Sequence, residues 1–339
     1  MTIIDELTQL GAVEPPKESV LERTESLFYE TIGADVRLDA TCGEGQGKTL
    51  RSHRRPRVRA AVTLVAVGAV AAAALLFVLN GPSGASPAAA SELNRLARIV
   101  LHAAPIQPPG PGQYVYTKSI QANQTCWLDK PAFCYLLPEI RQIWIASDGS
   151  GRILETYGTP AFYTAQYSAN WRSLGSPNLS KPSDSYFGPG GLSLNSKIAK
   201  LSTDPSQLAN QISAGAFEGT PSSPVDELEQ IGDILRESDA SPALRAACLD
   251  VVSTISGVAL DRNATDAIGR HGMGFELPFR GFMIELVFDP SNAAFLGEKD
   301  WVIAAGSGST QGWPAGSILN WIAYVAHGLV RSDSLQETQ

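Results

Sequence analysis

A chain of 339 residues with 44% apolar side chains is long enough for one large domain or two small ones with a buried core, which excludes a disordered tail. Charged residues make up 18%, below the quarter usual in soluble domains, so the apolar excess is concentrated somewhere. A formal net charge of −8 removes the basic footprint that binding to phosphate backbones requires, and no nucleic-acid partner is expected.

Residues 1–59 carry two short amphipathic patterns, Ile3, Ile4, Leu7 and Leu10, then Leu21, Leu27, Phe28 and Ile32, separated by Pro15-Pro16. Helices this small are marginal alone, so the segment reads as a loose cytoplasmic hairpin or one that orders on a partner. Cys42 to Thr49 ends in Gly47-Lys48-Thr49, but a phosphate-binding loop needs glycine where Cys42 stands and an apolar strand ahead of it. Cys42 also lacks a His or Cys at zinc-ligand spacing.

Residues 60–79 hold no charge and ten Val, Leu or Phe. As a helix they span about 30 Å and favour membrane insertion by roughly 4 kcal/mol. Lys48, Arg51, Arg54, Arg55, Arg57 and Arg59 precede the segment, and no Lys or Arg follows before Arg95. The positive-inside rule therefore predicts a single-pass protein of the cell membrane with a cytoplasmic N-terminus and its bulk outside. A cleaved signal peptide, suggested by Ala88-Ala89-Ala90, is the alternative; the long lead exceeds what such peptides use.

Residues 80–87 read as a linker, 88–331 as an extracytoplasmic domain and 332–339 as a tail. Four pairs, Ser86-Pro87, Asp204-Pro205, Ser223-Pro224 and Ser241-Pro242, place a capping oxygen before a proline that loses no hydrogen bond at the first helical position. Each precedes an apolar stripe: Leu93, Leu96, Ala97 and Val100; Leu208 and Ile212; Leu228, Ile231 and Leu235; Leu244, Cys248, Val251 and Ile255. Asp204 with Gln207 has capping-box spacing.

Elsewhere the period is two. A strand is predicted around Tyr114 to Ser119, and a hairpin joins Gln142–Ala146 to Arg152–Tyr157 through Asp148-Gly149-Ser150-Gly151. A second hairpin turns at Arg280-Gly281, setting Phe275 opposite Leu286 and Leu277 opposite Ile284. Asp289-Pro290 turns the chain toward Phe295–Ile303, and a last apolar run covers Ile318–Val330. Residues 162–194 read as extended strands with long loops. The fold class expected is α+β, a largely antiparallel, curved sheet with helices on one face.

Several short pieces in this order, among them Tyr114-Val115-Tyr116-Thr117-Lys118, Leu201-Ser202-Thr203-Asp204-Pro205, Ala264-Thr265-Asp266-Ala267-Ile268-Gly269-Arg270 and Leu286-Val287-Phe288-Asp289-Pro290, resemble an uncharacterised actinobacterial single-pass membrane family of anti-sigma-like topology. The resemblance covers roughly residues 86–331. It implies an outer domain similar to the half-barrel of lipoprotein carriers and periplasmic sigma regulators, and it carries no catalytic residue with it.

Chemistry-bearing candidates are few. His53, His102, His271 and His327 are scattered, no strand–Gly-x-Ser-x-Gly–helix elbow exists, and no metal or cofactor is expected. The hairpin register sets Glu276 opposite Glu285 with Cβ atoms about 5 Å apart, a spacing that suits a retaining cell-wall glycoside hydrolase, or simply a wet sheet face. Cys126 and Cys134 bracket a short turn-bearing segment outside the reducing cytoplasm and are expected to form a disulfide, with Cys248 a buried free thiol. The function expected is a non-enzymatic envelope sensor or regulator. Its partners would be the lipid bilayer, a lipid or peptide ligand in an apolar cleft outside, and a cytosolic protein such as a sigma factor inside; a passive envelope protein is the alternative.

Overall fold

The computed structural model describes residues 84–104, 107–191, 194–236, 240–304 and 313–333. The expected membrane segment at 60–79 and the amphipathic patterns of 1–59 lie outside the described residues. No helix among those described is long and apolar enough to cross a membrane.

Helices α1 (Pro87–Leu101), α4 (Pro205–Ser213), α5 (Pro224–Leu235) and α6 (Pro242–Val252) begin at the four cap–proline pairs. In each, the Ser or Asp oxygen accepts the backbone N–H three residues on, at 2.9–3.3 Å. The device recurs because proline at the first helical position removes a donor that the helix leaves unpaired anyway. At Asp204 only half of the expected capping box forms. The Gln207 side chain accepts from Ser202 Oγ, and Ser202 Oγ also accepts from the Asp204 N–H that Gln207 was expected to satisfy.

The sheet has ten strands: β1 (Tyr114–Trp127), β2 (Phe133–Ile145), β3 (Gly151–Tyr157), β4 (Ala161–Phe162), β5 (Ser183–Phe187), β6 (Ala259–Asp261), β7 (Met273–Phe279), β8 (Phe282–Phe288), β9 (Phe295–Val302) and β10 (Ile318–Val330). Their order is β5-β3-β2-β1-β10-β9-β8-β7-β6, with β4 on β2; every pairing is antiparallel, and the sheet does not close. The β7–β8 register is the one read from periodicity, Phe275 opposite Leu286 and Leu277 opposite Ile284. Arg280 and Gly281 both have positive φ, 46° and 96°, as a two-residue turn of matching twist requires.

Residues 162–194 contain the expected strand and loops at β5 but also a helix where none was expected. Ala165–Ser173 forms a helix, α2, capped by Thr164, and a short α3 covers Leu194–Ile198. The α2 helix buries none of its residues fully; Trp171 holds it by packing on Phe162.

The main core is shared by α1, α4, α5 and α6 and one face of β7 and β8. Leu93, Leu208, Leu228 and Cys248 meet Phe275, Ile284, Leu286 and Phe288 there, and Cys248 is a free thiol, as expected. On the opposite face a smaller cluster of Ile120, Ala122, Leu136, Trp321 and Val325 forms across β1, β2 and β10, with Ala267 and Ile268 packed against it. Cys126 and Cys134 are cross-strand partners at the end of the β1–β2 hairpin and are joined by a disulfide.

Candidate functional site

The helix-side face of the sheet changes character from one end to the other. At β7 and β8 it presents Phe275, Leu277, Ile284, Leu286 and Phe288, all within the helix-covered core. Strand alternation and register carry the same face across the sheet. Glu298 lies opposite Leu286 and Asp300 opposite Ile284 on β9, and Asn320 opposite Asp300 on β10. On β1 and β2, Gln121 pairs with Glu139 and Ser119 with Arg141; on β3, Tyr157 lies opposite Glu139 and Glu155 opposite Arg141. Ser119, Gln121 and Glu139 are buried despite their polarity.

At the boundary, Arg236 just beyond α5 donates from one nitrogen to both oxygens of Glu298, at 2.6 and 2.7 Å, and pairs with Asp233 at 2.6 Å. Burial opposes the Arg236 charge, but Glu298 and Asp233 outweigh it and its pKa is raised. Burial pushes the Asp233 carboxyl up to about 7 in spite of Arg236. Asp300 is raised well above the usual carboxylate range by burial first and then by Glu298. This network docks α5 onto β9, with Arg236 Nε, Asp300 Oδ1 and Asn320 Oδ1 left without hydrogen-bond partners among the described residues; its chemistry is structural.

Farther out, beyond the helices, the polar face opens into a cavity of about 410 Å³. Asn123, Thr125, Glu139, Tyr157, Asn178 and Lys181 supply its polar lining, and Leu137 and Leu179 its apolar part. Glu155 stands beside it as an ionised anchor. Burial alone would raise its pKa, but hydrogen bonds from Tyr157 and Ser183 and the charge of Arg141 hold it below the usual value. Tyr157 in turn is raised, by burial first and then by its hydrogen bond to Glu155 at 2.8 Å. The side chains present donors, acceptors and one cation, a set suited to a ligand bearing hydroxyl or amide groups.

Glu276 and Glu285 are directly opposite one another on the other face of β7 and β8, as the periodicity requires. A third acid, Asp261 of β6, joins them: one carboxylate oxygen from each of the three lies within 4.8 Å of the others. Burial, then Glu276, pushes Glu285 up to about 7, against the pull of Lys299. Glu276 is raised by burial and by Asp261, again against Lys299. Neither the 410 Å³ cavity nor a smaller one of about 250 Å³ beside α5 is lined by these acids.

The histidines do not converge on either place. His102 is exposed and bonds to the Arg98 carbonyl, His271 is exposed in an isolated bridge to Thr265, and His53 lies outside the described residues. His327 is half-buried, 2.8 Å from the Thr117 hydroxyl, and desolvation of its ring pushes its pKa down to about 4.

No known family, curated protein or solved structure matches the chain. Function therefore has to be argued from these side chains. Sequence reading found the Glu276–Glu285 pair and the disulfide but missed Asp261, which sits in a strand of three residues, too short for periodicity to show. It also missed the groove, whose walls come from β1, β2, β3 and a loop; the alternation of Ser119, Gln121 and Asn123 with Ile120 and Ala122 was its one visible sign.

Proposed function

We propose that the protein is a membrane-tethered, non-enzymatic envelope sensor or regulator whose outer domain binds a hydrogen-bonding ligand or partner segment in the groove over β1, β2 and β3. The observation that carries this reading is the buried polar floor of Ser119, Gln121 and Glu139 running into an open cavity. Buried polar groups cost stability unless satisfied, and a sheet face built only to pack would be apolar, as the same face is at β7 and β8. The apolar cleft expected from the aromatic strands is occupied by the chain's own helices, which turns the ligand chemistry from lipid toward hydroxyl- and amide-bearing molecules. The open antiparallel sheet with helices over one end supports the half-barrel likeness, and the charge asymmetry around 60–79 supports the tether, with the bulk outside. Inside, residues 1–59 would engage a cytosolic protein, a sigma factor being the first to try.

The test uses the full chain in lipid nanodiscs, with soluble muropeptides from digested peptidoglycan as the probe, these being hydroxyl- and amide-rich. A rise in Tm with wild type that is lost in Asn123→Ala supports the reading. No rise with wild type, or an equal rise in the variant, overturns it. Topology is tested separately on intact cells. After reduction, an impermeant thiol reagent should label Cys126 and Cys134 and spare Cys42; labelled Cys42 sinks the proposed orientation.

A further inference from the structure

Three neighbouring strands bring Asp261, Glu276 and Glu285 together, and the way they do so is specific. Asp261 lies opposite Gly274, one row along the sheet from the Glu276–Glu285 pair and on the same face. A β-carbon at position 274 would collide with Glu285 Oε1, so the glycine leaves the space into which the Glu285 carboxylate leans toward Asp261. Ala264, from the segment that folds over this face, closes the same space with its methyl group.

The Glu285 side chain is 3% exposed and its Oε1 has no hydrogen-bond partner. Among the described residues no ion pair ties the trio to a cation. Lys299, opposite Glu285 on β9, lays its ammonium over the Trp301 ring, 4.8 Å from the centroid. Asp261 Oδ1 accepts the Asn263 N–H at 2.8 Å, which orients that carboxylate and leaves its second oxygen without a hydrogen bond among the described residues. Asp261 and Glu276 are part-exposed, so the cluster is open to solvent on one side.

We propose that Asp261, Glu276 and Glu285 form a binding site for a hard divalent cation, calcium in preference to magnesium. Three carboxylates with no nitrogen or sulfur among them are oxygen ligands for such an ion. Calcium–oxygen distances of about 2.3–2.6 Å let ligand oxygens on one ion stand up to about 5 Å apart, whereas magnesium–oxygen distances of about 2.0–2.1 Å hold them within about 4 Å. Three oxygens that all lie within 4.8 Å of one another come inside the calcium span as they stand. Water would complete its coordination on the open side. Bound there, the ion ties the short edge strand β6 to β7 and β8.

The experiment is calorimetric titration of the full chain in detergent micelles, stripped with chelator, with calcium chloride and in parallel with magnesium chloride. One calcium per chain is expected, with Kd about 10⁻⁴–10⁻³ M as in extracellular calcium modules. Glu285→Gln and Asp261→Asn should each weaken it at least about tenfold, a loss of about 1.4 kcal/mol, and magnesium should bind more weakly than calcium. Asp261 is part-exposed, so Asp261→Asn keeps the test valid should the buried substitution fail to fold. Absence of calcium heat at millimolar concentration overturns the site, as does calcium binding that is unchanged in Asp261→Asn.

Discussion

One face of one sheet is used in two ways. Over β7 and β8 it is aromatic and aliphatic, and four helices seal it; over the middle of β1, at Ser119, Gln121 and Asn123, and their neighbours on β2 and β3 it is polar and partly open, between buried Val115, Ile143 and Ile145 on one side and buried Phe133 and Tyr135 on the other. The first half is stabilised by area removed from water, at about 25 cal/mol per Å², and by close packing. The polar stretch over Ser119, Gln121 and Glu139 contributes less in this way and holds groups that packing alone does not explain. Stability and recognition are therefore expected to separate along the sheet, with Arg236, Glu298 and Asn320 at the seam.

The largest test falls on the apolar half. Phe288 is 1% exposed and packs on Phe275 and Phe295 at ring-centroid distances of 5.8 and 5.2 Å. Phe288→Ala should lower unfolding free energy by about 3–5 kcal/mol, measured by urea titration. A loss below about 1 kcal/mol would mean that the helices do not depend on that face and would break the comparison at its stronger end.

What could be read beforehand divides along the same line. The cap–proline pairs were visible because a cap and its helix are local: Ser241 and Pro242 start α6 whatever the sheet does. The β7–β8 hairpin was visible because Phe275 and Leu277 alternate with polar neighbours and a two-residue turn fixes their partners. That β1 runs between β2 and β10 was not, since alternation tells which face a residue takes and not which distant strand it meets. The α2 helix escaped notice because Ala165–Ser173 has no apolar stripe; its cap, Thr164, was the available signal. Glu276 and Glu285 were legible as a pair, while Asp261 needed the space at Gly274, a property of the packed sheet.

A second test falls on the hairpin that carries the polar half. The β1–β2 pair is crosslinked at its end by Cys126–Cys134, which closes a short loop. The chain-entropy relation gives about 2.6 kcal/mol for a loop of this size. Replacing both cysteines with serine should cost roughly that much, read as a shift in urea midpoint. An unchanged midpoint would show that the hairpin is held by its neighbours alone.

Behind the apolar half, Glu285 gives a smaller effect with a defined pH dependence. Its folded-state pKa, about 7, lies above the ordinary 4.5, so the folded chain holds this proton more tightly than the unfolded one. The resulting stability is complete below about pH 4.5 and is lost as pH rises through 7. In chelator, Glu285→Gln should therefore be more stable than wild type by about 2 kcal/mol at pH 8, with the advantage shrinking toward pH 5. A variant that is less stable than wild type at pH 8 would show that ionised Glu285 is compensated by the protein itself.

The smallest stability effect is expected in the groove, and its smallness is what makes it informative. Asn123 is part-exposed on the groove side of β1, and no packed aromatic or ion pair depends on it. Asn123→Ala should change unfolding free energy by no more than about 0.5 kcal/mol, because removing a solvated polar side chain from a strand leaves neither a cavity nor a buried orphan. The groove would lose one donor–acceptor pair, and the ligand response tested above should fall with it. Phe288→Ala should do the opposite and weaken the fold, while any molecules still folded keep the groove side chains. A loss of stability at Asn123 as large as that at Phe288 would make the polar half part of the core and remove the separation on which its role in recognition rests.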